Sequence, residues 1–429
     1  MEVFKKIKTE SWEALSSRPK IDDNDLNQTV LSILDNVKQN GDEALTAYAK
    51  KFDKADLNEF LVTETEIRIA NKLVSEELKQ AINIAKQNIE KFHNSQFVEE
   101  EVVETTSGVE CWRRSVGIEK VGLYIPGGSA PLFSTVLMLG IPAKLASCKE
   151  IVLCTPCNET GEINPAILYT ANLIGINKIY KVGGAQAIAA MAYGTKTIPQ
   201  VYKIFGPGNQ FVTKAKELVQ QNGIAIDMPA GPSEVLIIAD KTGNPAYIAA
   251  DLLSQAEHGE DSQVILLTDN ENLLNRTLIE LNKQLVELPR VEIAKKALLN
   301  SKAVLLNNID ECIAFSNLYA PEHLIIASNS SSDYIDSIVN AGSVFLGNYS
   351  CESAGDYASG TNHTLPTNGY ARNYSGVSLE SFQKKITFQK INKEGLKTIG
   401  PSIEIMAEAE ELYAHKNAVT VRLKDITNV

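Results

Sequence analysis

The sequence predicts an α/β protein built around parallel β-sheets. Between residues 120 and 240, five short apolar runs have the composition of buried strands: VGLYI, EIVLC, NKIYKV, VYKIF and VLIIAD. Helical patterns separate them, among them FSTVLMLGIPAKLA, NPAILYTANLIG, AQAIAAMAYGT and NQFVTKAKELVQQ. Strands and helices that alternate at this spacing are typical of βαβ units, whose strands pair in parallel. The alternation resumes after residue 240, which predicts a second α/β unit.

One long helix is predicted before the first strand, over residues 63–97. Thr63 and Glu66 at its start have the spacing of a capping box, in which the two residues satisfy each other's backbone N–H groups. After residue 240 we expect, in order, a helix (245–258), strands at 263–268 and near 303–306, a helix (309–318), and the strands HLIIAS and SVFLG.

The residues from 349 onward break this pattern. Residues 349–376 are rich in Gly, Ser, Asn, Tyr and Thr, and a connection of that length is usually functional or disordered. A final helix is predicted over residues 402–415, where apolar residues recur along one stripe.

Composition excludes several classes of protein. The 429 residues include 41 basic and 53 acidic side chains, a net charge of −12 with no dense Lys/Arg patch, so we expect no nucleic-acid partner. No run approaches 18 apolar residues, and the N-terminus lacks the apolar core of a signal peptide, which predicts a cytoplasmic protein without a membrane partner. Six cysteines show no disulfide-framework spacing, and we interpret the isolated Cys154-x-x-Cys157 as loop cysteines rather than a redox or zinc pair.

The helix predicted over 245–258 ends in two polar side chains, Gln255 and His258. Asn244 is a favourable N-cap and Gly259 a favourable terminator, so the helix is expected to end at His258. Residues three apart share a helix face, so an amide and an imidazole there could bind a metal together. The alternative is a capping histidine beside a surface glutamine.

Glu322 and His323 stand side by side where a loop enters a strand. Adjacent strand residues point to opposite faces, but a junction that follows a proline can be irregular enough for both side chains to reach one cleft. Histidine is the usual general base near neutral pH, and a glutamate can activate water. The alternative is a structural cap.

Two further polar features lie downstream. Asp356 and His363 occupy the glycine-rich segment 349–376, and such oxygen and nitrogen donors suit a metal or a polar substrate. Glu410 and His415 lie near the end of the last predicted helix, where His415 could merely complement the helix dipole. A solvated surface loop is the alternative for the first pair.

Four of the five histidines fall in these features, so the features are not independent. Gln255, His258, Asp356 and His415 would together offer a metal two nitrogen and two oxygen ligands. Zinc accepts histidine nitrogen and carboxylate oxygen readily. The absence of cysteine from this set argues against a closed structural zinc site.

Glycine-rich turns follow several strands of the first α/β unit: Tyr124-Ile-Pro-Gly-Gly-Ser129, Val182-Gly-Gly-Ala-Gln186 and Phe205-Gly-Pro-Gly-Asn209. Such turns at helix N-termini favour phosphate groups through free N–H groups and the helix dipole. Neither G-x-G-x-x-G nor a Walker A motif is present. The glycine-rich turns are therefore compatible with two interpretations, namely tight βα turns without a ligand and a dinucleotide-binding site.

With these residues in view, the chain resembles the L-histidinol dehydrogenase family. The matching stretches span residues 121 to 423 in the family's order: GLYIPGGSAPLFSTVLM, VGGAQAIAAMAYGT, GPGNQFV, IDMPAGPSEVLIIAD, LLSQAEHGEDSQ, YAPEHL, AGSVFLGNYSCESAGDYASGTNHTLPT and AHKNAVTVRL. Two of them are highly specific, namely IDMPAGPSEVLIIAD and PEHL with the downstream GDYASGTNHTLPT. Residues 1–120 carry less of the resemblance.

The resemblance implies a zinc-dependent, four-electron oxidation of L-histidinol to L-histidine through an enzyme-held aldehyde, with two NAD+. One zinc ion per subunit would orient the substrate, bound by Gln255, His258, Asp356 and His415. His323 is implied as the base in both oxidations, and Glu322 as the group that activates water. Substrate contacts are implied for the zinc ligands, His323, Ser233 and Glu410. The NAD site would include Tyr124, Gln186 and Asn209.

The resemblance also implies two incomplete Rossmann-like parallel-sheet domains and a homodimer with shared active sites, in which the C-terminal tail is exchanged. The expected divisions are a helical N-terminal segment (1–20), a larger α/β domain with the catalytic loop (21–120 plus 235–377), an NAD-binding α/β domain (121–234) and the tail (378–429). Two other functions stay open. One is a related dehydrogenase acting on another small alcohol, such as a sulfonated diol, and the other is a zinc hydrolase that uses Glu322 on metal-bound water.

Overall fold

The computed structural model describes residues 1–5, 7–18, 24–127 and 131–427. Its strands are β1 (Glu2–Lys5), β2 (Val103–Thr106), β3 (Val109–Gly117), β4 (Lys120–Tyr124), β5 (Glu150–Thr155), β6 (Ile179–Lys181), β7 (Lys203–Phe205), β8 (Ala225–Ile226), β9 (Glu234–Ala239), β10 (Gln263–Thr268), β11 (Lys302–Leu305), β12 (His323–Ala327), β13 (Ser343–Leu346) and β14 (Gln383–Ile391). Its helices are α1 (Trp12–Leu15), α2 (Asn24–Asn40), α3 (Asp42–Tyr48), α4 (Glu64–Leu73), α5 (Glu76–Asn94), α6 (Phe133–Leu145), α7 (Pro165–Leu173), α8 (Gly184–Tyr193), α9 (Gln210–Gln220), α10 (Pro245–Ala256), α11 (Glu271–Leu285), α12 (Val291–Leu299), α13 (Ile309–Tyr319), α14 (Glu352–Tyr357), α15 (Lys393–Ala409) and α16 (Tyr413–Thr427). None of the helices in this part of the chain combines the length and apolarity that a bilayer crossing requires.

The first sheet has the order β6-β5-β4-β7-β8 and is parallel throughout. Counted along the chain from β4, this is 3-2-1-4-5, the order of a Rossmann sheet without its sixth strand. The five strands predicted from residue 121 onward are all present, but the last of them, VLIIAD, is β9 of the second sheet, and the fifth strand of the first sheet, β8, was not predicted. Cys154 lies inside β5 and is buried, so its assignment to a loop was wrong.

The second sheet has the order β1-β11-β10-β9-β12-β13, also parallel. Counted from β9 it repeats the order 3-2-1-4-5, and β1 adds a strand at the outer edge. The N-terminal segment 1–20 is therefore not simply helical, because residues 2–5 pair with β11. Residues 6, 19 and 20 of that segment lie outside the described residues.

Both sheets are covered on both faces, which explains the unbroken apolar runs in the sequence. All six residues of β9 are buried. Val235 and Ile237 pack into the apolar core on one face, and Leu236 and Ile238 pack into the core on the other. Alternate residues of one run therefore fill two separate cores.

The helices between residues 24 and 94 cover the first sheet. α2 packs against α8 and α9, α4 against α7, and α5 against α6. The prediction instead grouped residues 21–120 with the second sheet. The structure differs, because the apolar face of α2 is buried in one hydrophobic cluster with α8, a helix of the first sheet. Residues 21–23 lie outside the described part of the chain.

The predicted helix 63–97 is two helices. Its capping box is present, with Thr63 N–H donating to Glu66 Oε2 at 2.8 Å and Glu66 N–H to Thr63 Oγ1 at 3.2 Å. The helix stops because Val74 is extended, and the Ser75 hydroxyl then caps α5 by accepting the N–H of Leu78 at 3.2 Å.

The described chain divides into two compact units. The first contains both parallel sheets and comprises Met1–Gln96 and Ile118–Phe382, and the second comprises Phe97–Gly117 and Gln383–Val429. The second unit begins at 383 rather than 378 and includes residues 97–117, because β3 pairs with β14 along its length in an antiparallel ribbon. The helix predicted over 402–415 is interrupted between α15 and α16, where Glu411 has a φ of 59°.

Candidate active site

The candidate site lies at the amino ends of the central strands of the second sheet. β12 begins at His323 and pairs with β9, which begins at Glu234. Ala320, with a φ of 55°, ends α13 and turns the chain toward β12. Ligands of open parallel sheets usually bind at the carboxyl ends of the strands. This polar cluster therefore occupies the opposite edge.

The structure brings the side chains of Glu322 and His323 together. Glu322 Oε2 lies 3.6 Å from His323 Nδ1, and both side chains are buried. Glu322 precedes the first residue of β12 and so escapes the alternation that separates neighbours within a strand.

The main chain of Glu234 holds both side chains. Its N–H donates to Glu322 Oε2 at 2.8 Å, and its carbonyl oxygen lies 3.2 Å from His323 Nδ1. A carbonyl can only accept, so Nδ1 carries the hydrogen in this contact. In a neutral ring, His323 Nε2 is then the basic atom, and it is buried without a hydrogen-bond partner.

Two carboxylates from the short helix α14 flank His323. Glu352 Oε1 lies 3.8 Å from His323 Nδ1, and Asp356 Oδ1 lies 3.6 Å from His323 Nε2. Ligating atoms of the three residues all lie within 4.8 Å of one another. Sequence reasoning missed Glu352. The sequence contained one indication of its role: Glu352 and Asp356 are four residues apart, so both lie on the same face of a helix.

The carboxylates control the protonation of His323. Burial alone lowers the pKa of His323, but the charges of Glu322, Glu352 and Asp356 raise it to about 10. Burial raises the pKa of Glu322 to about 7 and that of Glu352 well above its ordinary value. Burial also acts to raise the pKa of Asp356, but its interactions with His323 lower that pKa overall. Such an anionic cluster favours a bound cation.

Gln255 and His258 lie at the end of α10, which packs against α14. The helix ends at Ala256 rather than His258, because the N–H of His258 bonds to the carbonyl of Gln255, three residues back, at 3.2 Å and tightens the last turn. His258 is an exposed residue, whereas Gln255 is 1% exposed, and neither the nitrogen nor the oxygen of its amide has a partner. Gln255 is therefore not a surface residue.

These residues fit a zinc ion. A buried amide without a partner costs free energy of about 1–3 kcal/mol unless something binds it. Both the nitrogen and the oxygen of the Gln255 amide are buried and unpaired. Zinc accepts histidine nitrogen and carboxylate oxygen readily, so His258 and Asp356 supply donors of suitable type beside this amide oxygen.

His363 has a supporting position. Its Nδ1 lies 2.9 Å from the carbonyl oxygen of Asp356, and its Nε2 lies 3.1 Å from Thr135 Oγ1 in α6. Both ring nitrogens are used within the protein, so His363 braces the segment that carries Asp356. That segment, predicted to be a loop, contains α14.

The remaining predicted substrate residues belong to different compact units, Ser233 to the first and Glu410 and His415 to the second. Ser233 is half-buried directly before β9, and its carbonyl accepts the N–H of Gln263 at 3.2 Å. Glu410 and His415 belong to the second unit, Glu410 at the C-cap of α15 and His415 in α16.

The glycine-rich turns lie at the carboxyl ends of strands in the first sheet. The hydroxyl of Tyr124 accepts the N–H of Gly184 at 3.1 Å. Asn209 caps α9 through its side chain, and Gln186 is buried in the first turn of α8. Only glycine fits at Gly206, since its φ is 133° and a Cβ there would lie 2.1 Å from the Tyr124 carbonyl oxygen. Gly128 and Ser129 of the first turn lie outside the described residues.

Comparison with known proteins gives one consistent result. A family model described as histidinol dehydrogenase matches residues 16–423. The chain is 58% identical to the histidinol dehydrogenase of Bacteroides thetaiotaomicron over 99% of this chain and 100% of that protein. It is 52% identical to that of Salmonella typhimurium, over 96% and 95%. The crystal structure of histidinol dehydrogenase from Elizabethkingia anophelis is similar with a TM-score of 0.98 and 63% identity, covering 99% of this chain and 98% of that one.

Proposed function

The chain belongs to the histidinol dehydrogenase family, and we propose that it oxidises L-histidinol to L-histidine through L-histidinal in a zinc-dependent reaction with two NAD+. The primary alcohol first loses a hydride and a proton to give the aldehyde. Water then adds to the aldehyde, and the hydrate loses a second hydride and proton to give the carboxylic acid. Each bound NAD+ accepts one hydride, so four electrons are transferred in all.

His323 is the proposed base of both oxidations. Its Nε2 is buried and unpaired, while its Nδ1 is held by the carbonyl of Glu234. The surrounding carboxylates raise the pKa of His323 to about 10 against the effect of burial, so they stabilise the protonated ring that forms when His323 accepts a proton from the substrate. This unpaired nitrogen beside three carboxylates is the observation that carries the proposal.

Glu322 is the group proposed to activate the water that adds to the aldehyde. One of its carboxylate oxygens is held by the N–H of Glu234, which fixes the orientation of the group. Burial raises its pKa to about 7, so it can accept a proton from water and return it near neutral pH.

Gln255, His258, Asp356 and His415 are the proposed ligands of one zinc ion per subunit. When bound, zinc would hold the substrate's amine and imidazole, a task of orientation rather than of electron transfer. The unpaired buried amide of Gln255 and the ionised state of Asp356 support this assignment. Glu352 is close enough to His323 to tune the site electrostatically without being one of these ligands.

The NAD site is proposed at the carboxyl ends of the first sheet, lined by Tyr124, Gln186 and Asn209. The strand order of that sheet supports it, because dinucleotides bind Rossmann sheets at this edge. Helix α8 begins there without a side-chain cap, so N–H groups of its first turn can bind phosphate, whereas Asn209 caps α9.

We further propose a cytoplasmic homodimer with shared active sites. The tail would cross to the neighbouring subunit, where His415 would complete the zinc ligands and Glu410 and Ser233 would contact substrate. The existence of a separate unit that contains both tail residues supports this arrangement.

The two other functions are less well supported. The chain's relatives over nearly its full length are named as histidinol dehydrogenases, which does not favour another small alcohol as substrate. A zinc hydrolase would leave the Rossmann-like order of the first sheet without a task.

The decisive experiment measures NADH formed per histidine from L-histidinol. Two NADH per histidine are expected. A ratio near one with accumulation of histidinal would refute the four-electron reaction.

A further inference from the structure

We propose that Arg18 is a positioning residue that aligns Glu322 and His323 by clamping Glu234. The inference rests on the proposed function, because it concerns the two residues assigned to that chemistry. Arg18 lies about 300 residues before them in the chain. Its hydrogen bonds are to Glu234, Tyr319 and Ala320 rather than to Glu322 or His323.

The clamp is a paired ion bridge. Arg18 Nε donates to Glu234 Oε1, and Arg18 Nη2 donates to Glu234 Oε2 at 2.8 Å. The side chains of Arg18 and Glu234 are 14% and 3% exposed. A two-point guanidinium–carboxylate contact fixes both the distance and the plane of the carboxylate.

The same guanidinium also holds the segment that leads into the catalytic pair. Arg18 Nη2 donates to the carbonyl of Tyr319 at 2.9 Å, and the guanidinium lies 3.8 Å from the centre of the Tyr319 ring. The hydroxyl of Tyr319 in turn donates to Gln263 Oε1 at 2.8 Å, at the start of β10. One cation therefore connects the start of β9 with the end of α13, three residues before Glu322.

Glu234 transmits this placement to the active site through its own backbone. Its N–H holds the carboxylate of Glu322, and its carbonyl holds Nδ1 of His323. Without Arg18, the carboxylate of Glu234 would be buried without its cation, a costly state that favours movement of the residue. Any such movement would displace the N–H and the carbonyl together, and with them both catalytic groups.

This role differs from a general contribution to stability. A lost alignment lowers the rate of the chemical steps, since a displacement of about 1 Å can cost on the order of 10²-fold in rate. Because Glu322 and His323 move together, histidinol oxidation and histidinal oxidation should both slow. Substrate affinity should change much less than the rate, because Arg18 makes none of the proposed substrate contacts and the proposed zinc ligands and Glu410 would still hold the substrate.

The test is Arg18→Ala in the full-length zinc enzyme, assayed with and without added methylguanidinium at millimolar concentration. We expect kcat to fall on the order of 10²-fold, with KM for histidinol changed less than about threefold. Methylguanidinium should occupy the space left by the side chain and restore kcat about tenfold or more. Glu234→Gln should lose kcat as well, but methylguanidinium should not rescue it because the carboxylate is gone.

Lys5→Ala is the matched control. Lys5 lies in the same N-terminal segment, and its Nζ forms an exposed ion pair with Glu271 Oε1 at 2.6 Å. The substitution removes this ion pair but leaves the contacts between Arg18 and Glu234 intact, so kcat should equal that of the wild type. Should Arg18→Ala fail to fold, Arg18→Lys serves instead: it keeps the charge but cannot make the paired contact, and we expect a lower kcat at unchanged KM.

Wild-type kcat in a folded Arg18→Ala or Arg18→Lys protein would overturn the inference. A second outcome would also overturn the inference: the kcat of Arg18→Ala falls only in proportion to the unfolded fraction, and methylguanidinium does not restore it. Arg18 would then have a purely structural role. If neither the wild type nor Lys5→Ala produced histidine, the proposed function would fail, and this inference would fail with it. If the wild type were active and the Arg18 variant equally active, only the inference about Arg18 would fail.

Discussion

His363 and Thr135 are joined by a contact of 3.1 Å between His363 Nε2 and Thr135 Oγ1. It links the segment that carries Asp356 to helix α6 of the first sheet, the half of the molecule in which NAD is proposed to bind. The other ring nitrogen of His363 contacts the carbonyl of Asp356, so the brace ends at a proposed zinc ligand.

This brace predicts coupled effects. Thr135→Val should lower the free energy of unfolding by about 1–3 kcal/mol, because it leaves a ring nitrogen buried without its partner. His363→Leu should act on the same contact, so denaturant unfolding of the double variant should show a coupling of about 0.5–3 kcal/mol. Strictly additive losses would mean that the contact contributes nothing.

His258→Asn should lose zinc and most activity while the protein stays folded. The residue is exposed, so its replacement leaves no cavity in a core. Zinc per subunit by atomic absorption, thermal unfolding and turnover measure the three quantities, with the neighbouring Glu257→Gln as control. Full zinc content with normal turnover would make His258 an ordinary surface residue.

Glu322→Gln should separate the two oxidations. Loss of a general base typically costs about 10²–10⁴ in rate, and only the second oxidation needs activated water. Single-turnover NADH formation from histidinol should therefore persist while oxidation of histidinal fails, whereas His323→Asn should impair both. An equal loss in the two half-reactions of Glu322→Gln would refute this division of roles.

Asp53 predicts a dependence of stability on pH. Burial raises its pKa to about 6, so the folded state keeps a proton that the unfolded chain releases at lower pH. Stability is therefore lost as the pH rises through this range, and the penalty is complete above about pH 6. Asp53→Asn should stabilise the protein by about 1 kcal/mol at pH 8, allowing for solvent screening, and not at pH 4. The exposed Asp56→Asn is the control, and an equal gain at both pH values would contradict the assignment.

Shared active sites predict complementation between inactive variants. His415→Ala and His258→Ala should each be inactive, and subunit exchange should create dimers with one site that carries both lesions and one that carries neither. Activity should approach about a quarter of the wild type for random pairing in a two-fold dimer. Verified exchange without recovered activity would show that the tail serves its own subunit.

The sequence by itself determined the α/β class, because βαβ units are local: a buried strand, a turn and a helix are encoded within some thirty residues. The runs from VGLYI to VLIIAD, the capping box at Thr63 and the N-cap at Asn244 were all readable for this reason. The motifs around Glu322 and His323 could also be recognised, since these residues are adjacent in the chain.

Tertiary structure decided what depends on distant pairing. The place of β1 at the edge of the second sheet, the packing of α2 on the first sheet and the ribbon of β3 with β14 all join segments far apart in sequence. Likewise, Glu352 of α14 becomes a candidate site residue only because the fold places its carboxylate beside His323 at the start of β12. Arg18 and Glu234 are ordinary charges in the sequence, and only burial and a shared contact turn them into a clamp.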